Sequence, residues 1–275
     1  MIVVTGATGN VGRPLVRALV AASEKVTAVS RRITGRDVPA GVPFRQADLA
    51  DARTLPPVLD GADKLFVLTS GDFVSAGGDV GAVLDAARAA GIRRIVLLSS
   101  QGVATGSHPD DLEKPVTRSD LEWTLLRPSG FHSNTLAWAE SVRAERMIAA
   151  PFGDVALPPV DPDDIAAVAA AALLEDGHAG KAYVLTGPAL ISPRQQASAI
   201  ADALGEPVRF VELSPAEARA RMLRFMPEPV VESTLAILGT PKPAERQVSP
   251  DVEAVLGRPP RTFAAWAARN AAAFE

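Results

Sequence analysis

From the first residue onward, short apolar runs alternate with stretches in which apolar positions recur every three or four residues. The runs read as strands buried on both faces, and the periodic stretches read as helices that cover them. Their alternation specifies a parallel sheet with helices on both sides. Six strands are predicted in this way: Ile2 to Thr5, Val26 to Ser30, Val42 to Arg45, Lys64 to Thr69, Arg94 to Ser100 and Trp123 to Arg127. Val11 to Ala22 and Asp79 to Ala90 have helical spacing, and Gly91 suits the left-handed turn that closes the second of them. Beyond Pro128 the rhythm changes. Asp164 to Leu174 predicts one more helix and Ala182 to Leu185 one more strand, and no strand-helix-strand unit is expected after Gly187. Ser192-Pro193 and Ser214-Pro215 each set an N-cap before a proline at the first helical position, and Glu217 completes a capping box with Ser214. The expected fold is α/β: a Rossmann-type doubly wound parallel sheet with a smaller, mainly helical C-terminal subdomain on the substrate side. Residues 1–128 and 160–187 form the first part, 129–159 and 188–275 the second. The second part belongs over the C-terminal ends of the strands, where such sheets bind ligands.

Composition narrows the function classes. Of 275 residues, 47% are hydrophobic and 22% charged, a balance that favours a packed globule over disorder. The net charge of -4 and the scattered arginines leave no electrostatic footprint for nucleic acid. With no cysteine, disulfides and thiolate chemistry are excluded, and no histidine–carboxylate cluster suggests a metal. The longest apolar run, Ile165 to Leu174, is too short to span a bilayer, and no basic leader precedes the first strand. A cytoplasmic protein is expected, with a small-molecule partner, without nucleic-acid or membrane partners, and as either a monomer or a homodimer.

The first strand runs into Thr5-Gly6-Ala7-Thr8-Gly9-Asn10-Val11-Gly12 and then a helix. Gly6 permits a sharp turn, Gly9 lets backbone approach phosphate, and Gly12 lets the helix pack against the strand. The spacing is Gly-x-x-Gly-x-x-Gly, not the simplest dinucleotide fingerprint, but a strand before it and a helix after it supply the required context. At the end of the second strand an NAD site usually carries a carboxylate for the ribose 2′-hydroxyl. This chain has Ser30-Arg31-Arg32 instead. Two guanidinium groups suit a 2′-phosphate, so NADP(H) is the expected cofactor. Asp48 and Leu49 are placed to meet the adenine, although Asp48 equally suits a helix cap before Ala52.

Several stretches resemble the NmrA-like group of atypical short-chain dehydrogenase/reductases, and within it the type 2 NAD(P)H:quinone oxidoreductases. They are Val4 to Gly12, Ala28 to Arg31, Val96 to Ser100, Trp123 to Pro128, Lys181 to Pro188 and Leu256 to Phe263. The resemblance covers essentially the whole chain. It implies that Gly6, Ala7, Thr8, Gly9, Asn10 and Val11 hold the pyrophosphate and Arg31 the 2′-phosphate. It also implies that Leu68, Thr69 and Ser70 lie beside the adenosine ribose and lead toward the nicotinamide. Ser129 and Gly130 then line the nicotinamide, Phe131, His132 and Asn134 continue into the substrate pocket, and Phe73 closes that pocket from a loop on the other side.

Many relatives carry Tyr-x-x-x-Lys on the helix before the sixth strand, the tyrosine as proton donor. Counted back from Trp123-Thr124, those positions fall on Thr105 and Pro109 here. If the segment is one helix, Lys114 is turned some 140° away from Pro109 and reads as a surface lysine. Ser99 and Ser100 show no base beside them in the sequence, so neither reads as a nucleophile. His108 and His132 remain as titratable candidates, and His132, on the nicotinamide loop, is the candidate catalytic residue. Two functions fit. One is an NADPH-dependent oxidoreductase that passes hydride to a quinone, azo compound or activated enone, acceptors whose reduced form needs no strong protein acid. The other is a non-catalytic NADP(H)-binding regulator of the NmrA type.

Overall fold

A computed structural model describes residues 1–69 and 71–275, the side chains of Asp72 and Ser75 excepted. Strands β1 (Ile2–Thr5), β2 (Val26–Val29), β3 (Phe44–Arg45), β4 (Lys64–Leu68), β5 (Arg94–Leu98) and β6 (Glu122–Pro128) form where the apolar runs predict them. Two further strands flank the next long helix, β7 (Met147–Pro151) before it and β8 (Lys181–Leu185) after it. Seven of these build one parallel sheet in the order β3-β2-β1-β4-β5-β6-β8. The order reverses between β1 and β4, and a doubly wound sheet opens its ligand crevice at that point.

Each face of the sheet has its own core. Helix Gly12–Ala21 buries Gly12, Leu15, Val16 and Leu19, one stripe at helical spacing, against Ile2, Val4 and Ala28 of the strands. Helix Pro162–Leu174 packs beside it and is buried almost all round, because it also meets the short helix Asp251–Leu256. On the other face, helix Val80–Ala89 is capped by the Asp79 side chain and closed by Gly91 at φ +80°, and it packs on Leu65, Ile95 and Leu97.

The region after Gly187 is mainly helical, as expected, but it also contains one strand that the sequence pattern does not predict. Strand β9 (Arg209–Leu213) follows helix Pro193–Leu204 and pairs in parallel with β7, Met147 opposite Arg209. Together they form a second, two-stranded sheet. The partners stand 62 positions apart, so neither short run announces the other. Both proline-led caps form as expected, and each makes a capping box, Ser192 with Gln195 and Ser214 with Glu217. A third core gathers Val142, Ile148, Ile200, Phe263, Trp266 and Phe274. It is fastened to the large sheet by carboxylates at the start of helix Pro162–Leu174. Asp164, fully buried, accepts from Arg258 Nη2 at 2.7 Å and from the Arg261 backbone N–H at 2.6 Å, and Asp161 accepts from Arg269.

Candidate functional site

The glycine turn and its neighbours meet at the C-terminal edge of the sheet, at the reversal in strand order. Gly6 takes φ +62°, and a Cβ there would lie 3.1 Å from Leu68 at the end of β4. Gly12 sits so close beneath the turn that a Cβ would come within 2.2 Å of the Gly6 carbonyl oxygen. Gly9 is different: a Cβ there meets only that oxygen, at 3.3 Å, and otherwise points away from the protein. Thr5 Oγ1 donates to the Phe66 carbonyl and accepts from the Leu68 N–H, which locks the end of β1 to the end of β4. Val11, at the N-cap of helix Gly12–Ala21, supplies no side-chain cap, and the first turn holds no acidic residue. The helix therefore turns the positive end of its dipole to the crevice, while of its first N–H groups Arg13 donates to the Gly9 carbonyl, Leu15 donates to the Val11 carbonyl and Pro14 has none. A narrow backbone turn with no carboxylate fits a pyrophosphate.

Two side-chain hydrogen bonds connect this turn to the other predicted segments. Thr8 Oγ1 and Ser30 Oγ lie 3.1 Å apart, which brings the turn to the end of β2. Arg31 and Arg32 follow there, both exposed. Asn10 Nδ2 donates to Ser133 Oγ at 3.0 Å and so reaches the segment after β6. A cavity of about 410 Å³ beside the turn is lined by Thr8, Gly9, Asn10, Arg13, Ser133 and Arg269, among others. Asp48 and Leu49 are half-buried beyond β3. Asp48 Oδ1 accepts from the Ala50 N–H in a local turn, and the cap before Ala52 is Asp51, not Asp48. Leu68 and Thr69 stand at the end of β4 as expected, and Ser70 lies outside the described residues.

The segment after β6 is held by backbone. The Ser129 N–H donates to Leu185, and the Ser129 hydroxyl donates to the Pro158 carbonyl at 2.6 Å. The Gly130 carbonyl accepts from Val160, and the His132 N–H donates to Val160. Phe131 is half-buried against the first core and Asn134 is exposed. His132 turns away from the glycine turn. It is 1% exposed, with Phe263 and Trp266 edge-on to its ring, and it borders an apolar cavity of about 300 Å³ with Pro159, Leu190 and Ile191. Burial pushes its pKa down to about 4, so the ring is neutral at pH 7. Its Nδ1 has no hydrogen-bond partner among the described residues. Phe73 does not sit in a loop: it lies in helix Gly71–Ser75, 3% exposed, inside the second core.

The segment between β5 and β6 departs most from expectation. It is not one helix. A short helix, Gln101–Ala104, gives way to irregular chain, and helical structure resumes only at Lys114–Thr117. The phase argument for Lys114 therefore does not apply, although Lys114 is exposed and paired with Asp110 at 2.7 Å. Tyr183 lies within β8, and its hydroxyl meets His178 Nδ1 at 2.8 Å, toward the opposite end of the strand from the crevice. Thr105 and Ser107 both donate to the buried Glu245 carboxylate, while Lys242 Nζ donates to the Thr105 carbonyl.

The two serines after β5 do have ionisable neighbours, contrary to expectation. Ser99 Oγ donates to Glu113, which Arg127 grips with two nitrogens. Ser100 Oγ lies 3.1 Å from His108 Nδ1. The signal in the sequence was Gly102, since only a residue without a Cβ admits the His108 ring beside it. Among the described residues no helix is long and apolar enough to cross a membrane, and no group of three or more His, Asp or Glu could hold a metal ion.

Comparison with known proteins places these features. A family model described as NAD(P)H-binding matches residues 6–176. The chain is 38% identical, over 100% of its length and 99% of the other protein, to the (4-alkanoyl-5-oxo-2,5-dihydrofuran-3-yl)methyl phosphate reductase of Streptomyces griseus. It is 35% identical, over 100% of its length and 99% of the relative, to the NAD(P)H azoreductase of Xenophilus azovorans. Among solved structures, the NADPH complex of the NADPH-dependent quinone oxidoreductase QOR2 from Escherichia coli superposes with a TM-score of 0.81 and 26% identity, covering 98% of this chain and 99% of that one.

Proposed function

We propose, on the premise that this chain belongs to the NAD(P)H-binding family, in the NmrA-like group close to the type 2 quinone reductases, that it is an NADPH-dependent reductase of small conjugated acceptors. Quinones, azo compounds and activated enones are the acceptor classes. The observation that carries this reading is that the glycine turn, with Gly9 open at the start of helix Gly12–Ala21, meets the end of β2 through Thr8 and Ser30, just before Arg31 and Arg32.

In this reading the turn from Gly6 to Val11 holds the pyrophosphate at the positive end of the helix dipole. Arg31 and Arg32 hold the 2′-phosphate, and Asp48 and Leu49 border the adenine. Leu68 and Thr69 flank the ribose, and Ser129 and Gly130 border the nicotinamide. Phe131 and Asn134 face the acceptor. Residues 1–128 and 160–187 bind the cofactor, while 129–159 and 188–275 cover the acceptor side. Bound NADPH supplies the hydride. The protein orients the acceptor and excludes water around it. His132, buried beside Phe263 and Trp266 and neutral, is in this reading not the source of a proton. The relatives with named reductase activity favour turnover over a purely regulatory role.

Arg31→Ala is expected to weaken NADPH binding roughly 10- to 100-fold, the range for charge-assisted hydrogen bonds, and to leave NADH binding nearly unchanged. Fluorescence titration with both cofactors checks this, and equal losses would remove the 2′-phosphate assignment. Turnover is tested by following NADPH absorbance with a panel of quinones, azo dyes and enones. Tyr183→Phe and Lys114→Ala should each keep most of the rate, because the Tyr183 hydroxyl is engaged by His178 and Lys114 is exposed at the surface. A loss of about a hundredfold at either would identify it as a general acid. Tight NADPH binding with no turnover on any acceptor would instead favour the regulatory function.

A further inference from the structure

Ser100, the residue after Ser99, sets a hydroxyl beside an imidazole just past the C-terminal end of β5. If Arg31 and Arg32 at the end of β2 take the adenosine end of the cofactor, its reactive end extends the other way across the strand reversal, over β4 and β5. Ser100 follows β5, two strands from the glycine turn, roughly 10 Å at ordinary strand spacing. Ser99 is engaged by Glu113, but Ser100 is half-exposed. Its Oγ accepts from the Gly102 N–H at 3.1 Å and lies 3.1 Å from His108 Nδ1. The ring is built into place. The His108 backbone N–H donates to the Gly102 carbonyl at 2.9 Å, and a Cβ on Gly102 would lie 2.4 Å from Nδ1 of the ring. The charged groups that face this loop from elsewhere are Glu245, through Ser107 and Thr105, and Lys242, through the Thr105 carbonyl. Asp110, Asp111 and Lys114 follow on the same loop.

Resting on the reductase reading, we infer that Ser100 is the catalytic residue that protonates the reduced acceptor, with His108 positioned behind it, in place of the tyrosine–lysine pair of many relatives. A hydroxyl oxygen has two lone pairs and one proton. When the Gly102 N–H and a protonated Nδ1 both donate into Ser100 Oγ, its own proton is left for a third group. An acceptor that has received a hydride carries the displaced electron pair on oxygen. That oxygen takes the Ser100 proton as the O–H bond of Ser100 breaks, and Oγ takes the Nδ1 proton of the imidazolium. The neutral ring then recovers a proton from solvent. One hydride and one proton are consumed for each acceptor reduced.

The test uses the full-length protein with NADPH and an activated enone. Ser100→Ala and His108→Asn are each expected to slow turnover about a hundredfold with cofactor affinity unchanged. His108→Asn should also remove whatever pH dependence the wild-type rate owes to this imidazole, and Ser100→Thr should restore most of the Ser100→Ala loss. A readout independent of turnover is the proton NMR chemical shift of the His108 ring, which Ser100→Ala should displace in the protein without acceptor. If Ser100→Ala fails to fold for want of its cap, His108→Asn keeps that cap and carries the test. Should the wild type turn over while His108→Asn keeps both rate and pH profile, the relay falls and the reductase reading stands. If the wild type reduces no acceptor, both fall together.

Discussion

Gly9→Val is expected to leave a folded protein that no longer binds NADPH measurably, whereas Gly12→Val is expected not to fold. The two glycines belong to one turn and are three residues apart, yet they lack a side chain for different reasons. A Cβ on Gly9 meets one atom, the Gly6 carbonyl oxygen at 3.3 Å, and a shift of a few tenths of an ångström relieves it. The rest of a valine would then fill the space that the proposed pyrophosphate needs, breaking several charge-assisted hydrogen bonds at once. A loss of more than about a hundredfold follows from the usual worth of such bonds. A Cβ on Gly12 would lie 2.2 Å from the Gly6 oxygen and 2.7 Å from the Ala7 Cα. Those are backbone atoms of the turn itself, with no flexible side chain to yield, so helix Gly12–Ala21 would have to leave the sheet. Circular dichroism and NADPH titration of the two variants separate the cases. Undiminished affinity in Gly9→Val would refute the close approach of backbone to phosphate.

The second large effect lies far from the crevice. Asp164→Ala is expected to cost about 3 kcal/mol of stability, the scale for removing one partner of a buried, hydrogen-bonded ion pair. The Asp164 carboxylate is 0% exposed and accepts from Arg258, from the Arg261 backbone and from the Arg261 side chain. Both guanidinium groups remain more than a third exposed, so after the substitution they turn to solvent and only the bonds to Asp164 are lost. For the same reason, replacing either arginine alone should cost less than replacing the aspartate. Because the pair fastens the C-terminal chain to helix Pro162–Leu174, the third core should loosen first. Urea unfolding followed by tryptophan fluorescence reports this directly, since Trp266 lies in that core. A change under about 0.5 kcal/mol, the level of an ordinary surface substitution, would show that the clamp is not what holds the two parts together.

Local pattern determined much of this protein. A strand buried on both faces reads as an apolar run and a covering helix as a stripe at three- and four-residue spacing, so the large parallel sheet and its flanking helices were legible before any contact was known. The glycine turn was equally legible, because a tight turn into a helix start is a property of eight consecutive residues. The change from carboxylate to arginine after β2 was also local. Tertiary structure alone decided four other things. The β7–β9 pair joins runs 62 positions apart, and backbone hydrogen bonds leave no mark on composition. The direction of the His132 ring depends on Phe263 and Trp266, which come more than a hundred residues later. The Asp164 clamp needs arginines from the far end of the chain. The Ser100–His108 pair spans only eight residues, yet it arises because the segment between β5 and β6 breaks into turns where a continuous helix was assumed. In each case the deciding quantity is which groups the folded chain brings together, and periodicity along the sequence does not carry that information.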